Sequence, residues 1–256
     1  MNDQAAVVTE RRERVLVVTI NRPDQRNAVN ASVANGVAEA LDELDSDTSL
    51  SVGIITGAGG YFCAGMDLKA FAAGEMPWIE GHGFAGITER VTEKPLIAAI
   101  EGFAVAGGLE IALACDLIVA AKDAKLGIPE VKRSLVAAGG GLLRLPRMVP
   151  RNIANELALT GDPITAERGY EIGLVNRVTN RGDALDTALE LATAIGANGP
   201  LALAGTKQIL RESVDWSQAE AFERQRPIWG PIFASEDARE GATAFAEKRA
   251  PVWRSL

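Results

Sequence analysis

Two glutamates stand out for their surroundings. Glu110 follows Gly107 and Gly108 at what reads as the start of an apolar helix, and the only charges between Lys94 and Asp116 are Glu101 and Glu110. Its neighbours Leu109, Ile111, Ala112 and Leu113 give it little polar cover, and ionised carboxylates are rarely buried without a partner or a task. Glycines at a helix start leave backbone N–H groups unpaired and let a polarised oxygen approach. The same glycines also suit close helix–strand packing, with Glu110 complementing the helix dipole. Glu101, at a turn, reads as solvated. Glu130, stiffened by Pro129 just beyond a short strand, is on its own equally a surface charge paired with Lys132 or Arg133. Taken together, the two carboxyls could hold one proton between them, as acid and base acting on one substrate require.

A second backbone donor is readable in Ala64-Gly65-Met66-Asp67, where a loop turns into a helix and presents the Met66 N–H outward. Two convergent amides, of Met66 and Gly107, are what a thioester or ester carbonyl needs when its oxygen becomes an enolate or oxyanion; each donor contributes roughly 3–4 kcal/mol at the transition state. The role fixes the backbone and leaves the side chain free, so methionine is no objection; it is equally a core gap-filler.

Other chemistries fit poorly. The loop from Gly57 has Phe62 where a dinucleotide fingerprint needs its third glycine. No G-x-S-x-G elbow occurs, and the single histidine, His82, reads as a solvated loop residue. No Cys/His cluster has metal spacing, so no metal is expected.

The elements that must position these groups follow from composition and pattern. With 256 residues, 47% of them hydrophobic, the chain can build a large core, and its net charge of −8 makes nucleic acid an unsuitable partner. Cys63 and Cys115 lie in apolar surroundings and read as reduced, the N-terminus lacks an apolar signal region, and no apolar run approaches a membrane span. A cytoplasmic protein without membrane attachment is expected.

Strands are predicted over 14–20, 52–56, 96–100, 117–120, 125–127 and 174–178, with helices over 33–44 (capped by Asn30 or Ser32), from Gly107, after Gly139-Gly140-Gly141 and near Ala166. The Gly-rich stretch 71–89, carrying Met76, Pro77 and Trp78, reads as a mobile cover over a site. From Ala184 the segments 184–195, 201–213, 218–229 and 238–249 read as helical. Gly196 to Pro200 marks a composition break. The expected organisation is a core domain over 1–195 and a helical oligomerisation region over 200–256, since such a tail cannot bury its apolar faces alone.

These residues resemble the enoyl-CoA hydratase/isomerase family, the crotonase superfamily, over essentially the whole chain. Four stretches carry the likeness: Arg26-Asn27-Ala28, Phe62-Cys63-Ala64-Gly65-Met66-Asp67-Leu68, Gly102 through Glu110 (GFAVAGGLE), and Gly127-Ile128-Pro129-Glu130. The resemblance implies an α/β fold, a crotonase-like spiral of ββα units with a helical C-terminal trimerisation region, in trimers or dimers of trimers. It implies that Met66 and Gly107 form an oxyanion hole and that Glu110 and Glu130 are catalytic. It also implies that Arg26, Ala28, Ala64, Gly65, Asp67, Leu68 and Gly108 line or shape the acyl-CoA channel, with Lys69 near the CoA phosphates. Phe245 and Lys248 would reach a neighbouring subunit's CoA. CoA would be part of the substrate, with no separate cofactor. Keeping both glutamates favours an enoyl-CoA hydratase, a hydro-lyase acting on the 2,3 double bond of an acyl-CoA. The alternatives are a Δ3-Δ2 enoyl-CoA isomerase, a carnitinyl-CoA dehydratase-like enzyme or a non-catalytic acyl-CoA-binding subunit. The segment 131–141 departs from the proline-glycine approach of fatty-acyl hydratases, which turns the expectation from straight-chain towards branched or unusual acyl groups.

Overall fold

The computed structural model describes residues 5–255. The chain opens with β1 (Val7–Arg12) and β2 (Val15–Ile20), an antiparallel pair, followed by α1 (Ala31–Ser46) and β3 (Val52–Gly57). Helix α1 starts where Asn30 accepts the Val33 N–H at 3.1 Å, and it buries Val33, Val37, Leu41 and Leu44 at helical spacing. A short α2 (Leu68–Ala72) and a hairpin of β4 (Trp78–Ile79) and β5 (Gly83–Phe84) lead to β6 (Leu96–Ile100). Then come β7 (Phe103–Val105), α3 (Gly107–Ala114), β8 (Leu117–Ala121) and β9 (Lys125–Gly127). Helices α4 (Gly141–Met148) and α5 (Arg151–Thr160), strand β10 (Ile164–Thr165), helix α6 (Ala166–Glu171) and strand β11 (Arg177–Thr179) complete the mixed part. Four helices follow: α7 (Ala184–Gly196), α8 (Pro200–Glu212), α9 (Ala221–Ala234) and α10 (Glu236–Glu247).

The large sheet runs β1-β2-β3-β6-β8-β11, parallel from β2 onward, beside a three-stranded sheet β10-β9-β7. Strands β6 and β8 each pass straight into β7 and β9 of the small sheet, which are parallel to each other. The chain thus winds as a spiral of strand–strand turns closed by helices. Period-two alternation divides the large sheet's faces. Val15, Val17, Val52, Ile54, Ile97, Ala99 and Val119 pack on Ala188 and Ala192 of α7, while Leu16, Val18, Ile20, Ile55, Ala98, Ile100 and Ile118 face the main core.

Several sequence expectations are corrected. Strand β1 was not anticipated, because its outward residues are Thr9, Glu10, Arg11 and Arg12 and it pairs only at the sheet edge. The late strand is Arg177–Thr179 rather than 174–178; Leu174 and Val175 are buried, but in the turn before it. Stretch 71–89 is only partly a cover, since Phe84, Ala85, Ile87 and Thr88 belong to the buried interior. Glu101 is not merely solvated: its carboxylate accepts the N–H groups of Gly182 and Ala184, both at 3.0 Å, and so anchors the entry to α7. Helix α8 is tied to the core by Lys207, whose Nζ donates to Thr92 Oγ1 (2.8 Å), Lys94 O (2.8 Å) and Asp116 Oδ2 (2.7 Å).

Candidate active site

Two loops that enter helices run side by side. Phe62 to Met66 runs alongside β7: Cys63 N–H donates to Phe103 O and Val105 N–H to Cys63 O. Behind them Asn27 is fully buried and gives its side-chain N–H groups to the carbonyls of Ala58 (2.9 Å) and Tyr61 (2.8 Å). The contact between the loops is close. A Cβ on Gly108 would lie 2.2 Å from Cys63 O, and one on Gly65, whose φ is +90°, 3.0 Å from Gly107 N. Neither glycine tolerates a side chain, which brings Met66 beside the start of α3. Among the described residues the N–H groups of Met66 and Gly107 donate to no protein acceptor.

Ala106, the residue before α3, has φ +53° and ψ −132°. A non-glycine residue reaches that region only under strain, here held by a hydrogen bond from its own N–H to Gly127 O. The turn so formed carries the chain from β7 into α3 and leaves the Gly107 amide without an acceptor among the described residues.

One cavity of about 420 Å³ collects these groups: Met66, Gly107, Glu110 and Glu130 line it together, with Arg26, Ala64, Leu68 and Arg133. Its apolar wall includes Phe71, Met76 and the tilted pair Trp78–Phe84, whose ring centroids are 4.9 Å apart.

The two carboxyls differ in environment. Glu110 is 3% exposed, and its Oε1 accepts the Gly141 N–H at 2.9 Å. Burial pushes its pKa above the ordinary carboxylate range, opposed by the Gly141 and Gly139 amides and by the charge of Arg144. Glu130 sits in a five-residue 3-10 helix, Pro129–Arg133. Its Oε2 is buried without a hydrogen-bond partner among the described residues. Burial pushes Glu130 up to about 7, the negative charge of Glu110 adding to the effect while its own N–H and Arg133 oppose it. Lys132 does not neutralise it, pairing with Asp162 instead.

Of the other expected site residues, Gly65 and Gly108 shape the wall by their missing side chains, and Ala28 presents its carbonyl to the Arg22 guanidinium. Asp67 lies outside the cavity lining. It is ion-paired with Arg22 at 3.0 Å and caps α2 through Lys69 N and Ala70 N; burial raises its pKa, but the Ala70 amide and Arg22 bring it below the usual range. Lys69 is exposed on α2. Phe245, 87% exposed, and Lys248 are at the end of α10 and do not line this cavity. Arg144 has no site role in the sequence reading, whereas segment 131–141, expected only to bear on the acyl group, supplies both Arg133 and the Gly139–Gly141 cradle around Glu110. The run of three glycines at a helix start, with Arg144 three residues on, was the available signal. Among the described residues, no cluster of His, Cys, Asp and Glu has metal-binding geometry, and no helix is long and apolar enough to cross a membrane.

Comparison with known proteins gives a consistent result. A family model described as enoyl-CoA hydratase/isomerase matches residues 10–255. Enoyl-CoA hydratase EchA19 of Mycobacterium tuberculosis is 46% identical over 95% of this chain and 94% of its own. Carnitinyl-CoA dehydratase of Salmonella typhi is 42% identical over 94% of this chain and 95% of its own. The crystal structure of enoyl-CoA hydratase EchA1 from Mycobacterium marinum superposes with a TM-score of 0.97 at 59% identity, covering 99% of this chain and all (100%) of that one.

Proposed function

This chain belongs to the enoyl-CoA hydratase/isomerase family, and on that premise we propose that it is a hydro-lyase that reversibly adds water across the 2,3 double bond of an enoyl-CoA. The observation that carries the reading is the convergence of two unpaired amides and two unlike carboxyls on one cavity. The thioester oxygen accepts the N–H groups of Met66 and Gly107, which stabilise the enolate that forms as oxygen adds at the β carbon. Glu110, whose charge is met by glycine amides and Arg144, is the ionised partner and takes the proton of the attacking water. Glu130, with its Oε2 unpartnered and its carboxyl poised near neutrality, is the protonated partner and delivers its proton to the α carbon. The water oxygen ends on the β carbon, and Glu110 carries the water's proton. These groups supply base, acid and electrophile, and CoA enters as part of the substrate.

Arg26, Ala28, Ala64 and Leu68 lead the pantetheine towards the amides, with Lys69 near the phosphates. Phe222, Phe233 and Phe245 on the tail helices are 71%, 76% and 87% exposed, which supports packing of α9 and α10 on other copies in a trimer or dimer of trimers, with Phe245 and Lys248 reaching a neighbour's CoA. The buried free thiols of Cys63 and Cys115 suit a reducing cytoplasm.

A second reading is dehydration of a carnitinyl-type acyl group. The ring faces of Trp78 and Phe84 favour it, since aromatic faces attract quaternary ammonium ions. Arg133, a cation on the same cavity, opposes it. The test of hydration is turnover of crotonyl-CoA and a panel of branched enoyl-CoAs in isotopic water. Label should appear on the β carbon, and Glu110→Gln and Glu130→Gln should each reduce the rate by about 100-fold or more. Unchanged rates in both variants, or product without water oxygen, sink the assignment.

A further inference from the structure

Arg144 belongs to no lining of the cavity, yet its guanidinium lies between two of the cavity's supports. Nη2 donates to Thr88 O at 2.6 Å, and Nη1 reaches Gly139 O at 3.5 Å. It seats directly over Gly140, where an added Cβ would lie 2.1 Å from Nη1 and where φ is +94°, so this turn is built around both a glycine and an arginine. The turn's next amide, Gly141 N–H, is the one that holds Glu110. Thr88, 1% exposed, ends the buried segment that starts at Gly83, and the Phe84 ring is packed so closely on α3 that a Cβ at Gly107 would fall 2.4 Å from it. One side chain therefore fastens the cradle of Glu110 to the wall behind the Gly107 amide.

We propose that Arg144 is a positioning residue for the hydration reaction, fixing the Gly139–Gly141 turn so that Glu110 keeps one orientation and placing a positive charge behind its carboxylate. This deepens the hydro-lyase reading of the same site and rests on it. The charges around Glu110 are few. Arg144 faces it from α4 and Glu130 from the 3-10 helix, with Arg133 beside Glu130. Glu89, next to Thr88, and Cys115, at the end of α3, face Arg144, and Asp116 and Lys207 lie beyond Cys115. Arg144 is the cation among these that acts on Glu110, and burial lowers its own pKa while Glu110 raises it.

The test compares Arg144→Met and Arg144→Lys in the full-length protein by two measurements. One is the pH dependence of kcat and KM on an enoyl-CoA that the wild type hydrates. The other is a carbon-13 NMR titration of the Glu110 carboxyl in ligand-free protein, assigned by its loss in Glu110→Gln. For Arg144→Met, kcat should fall about 10- to 100-fold with KM within about threefold, and both the acid limb and the Glu110 midpoint should move up by about one pH unit. For Arg144→Lys, which keeps charge without the fork, the midpoint should stay near the wild-type value while kcat still falls several-fold. An unmoved Glu110 midpoint in Arg144→Met, or full kcat in Arg144→Lys, overturns the proposal. If Arg144→Met does not fold, Arg144→Lys and Arg144→Gln give the same two readouts. A wild type that hydrates no enoyl-CoA counts against the functional reading alone, because the NMR titration still decides whether Arg144 governs Glu110.

Discussion

Gly141 gives its backbone amide to Glu110 Oε1 at 2.9 Å, across from the first turn of α4 to the first turn of α3. An amide of a helix's first turn has no partner in its own helix. A buried carboxylate meeting one exchanges solvent for a charge-assisted bond and keeps a fixed direction. The bond leaves no room for side chains on either side of it. A Cβ at Gly139 would lie 2.7 Å from Glu110 Oε2, and one at Gly141 3.1 Å from Cγ.

Gly139→Ala should therefore turn the carboxylate away from the water it activates. Its kcat is expected to fall about 10- to 100-fold while KM stays within a few-fold. Gly196→Ala is the control. That position closes α7, where an added Cβ would meet Ser51 Cβ at 3.6 Å, an ordinary van der Waals contact, and should be neutral or slightly stabilising, by up to about 1 kcal/mol. Steady-state kinetics and thermal melts of both variants check this; equal kcat in Gly139→Ala and wild type rules it out.

Glu130 predicts a stability that depends on pH in a definite direction. Its folded pKa of about 7 lies above the ordinary 4.5, so the native state holds this proton where the unfolded chain has released it. The favourable contribution is complete below 4.5 and disappears as the pH rises through 7, above which the fold carries a half-buried anion. The full shift corresponds to ~3 kcal/mol, and partial exposure reduces that to about 1–2 kcal/mol. Glu130→Gln, which cannot ionise, should gain stability over wild type between pH 5 and pH 8 by about that amount in denaturant titrations. A difference that does not change with pH contradicts the raised pKa.

The sequence carried much of this arrangement for identifiable reasons. Glu110 was visible because a lone charge in an apolar run is rare, and the positions of Met66 and Gly107 because glycine-to-helix junctions have few uses. Asn30 announced α1 through capping chemistry that is local. What stayed hidden depended on distant partners. Glu101 reads as solvated until Gly182 and Ala184 arrive from the start of α7. Arg144 gains its role only when Thr88 is brought to its guanidinium, and β11 starts three residues later than its apolar run suggests because Leu174 and Val175 turn into the core.

Ala106 stores strain that the site uses. A residue at φ +53° with a Cβ costs about 1–3 kcal/mol, which glycine would relieve, but glycine also loses more freedom on folding, by about 0.5–1 kcal/mol. Relief exceeds that loss, leaving a net gain of up to about 2 kcal/mol. Ala106→Gly should melt at or a few degrees above wild type and keep its activity, whereas Ala106→Val adds β-branching at a forbidden angle and should lose about 2 kcal/mol or more together with the aim of the Gly107 amide. Melts together with the affinity for a non-hydratable acyl-CoA separate the two; an Ala106→Val as stable and active as Ala106→Gly removes the strain argument.

Arg133 decides between the two acyl classes. It lines the cavity, acts on Glu130 by its charge, and forms no ion pair among the described residues. A quaternary ammonium in the acyl group would meet this exposed cation at roughly 10 Å, a repulsion of about 1–2 kcal/mol at an effective dielectric near 20, or roughly a 10-fold loss in kcat/KM. The rings of Trp78 and Phe84 on the same cavity recover part of it. Uncharged enoyl-CoA should therefore be preferred to the trimethylammonio analogue in the wild type, and Arg133→Gln should narrow that preference by about 10-fold. Removing Arg133 also lets Glu130 titrate higher, which alters both substrates alike, so the ratio of their kcat/KM values at one pH isolates the charge of the acyl group. A ratio that Arg133→Gln leaves unchanged would place the guanidinium away from the acyl end and return carnitinyl-type substrates to equal standing.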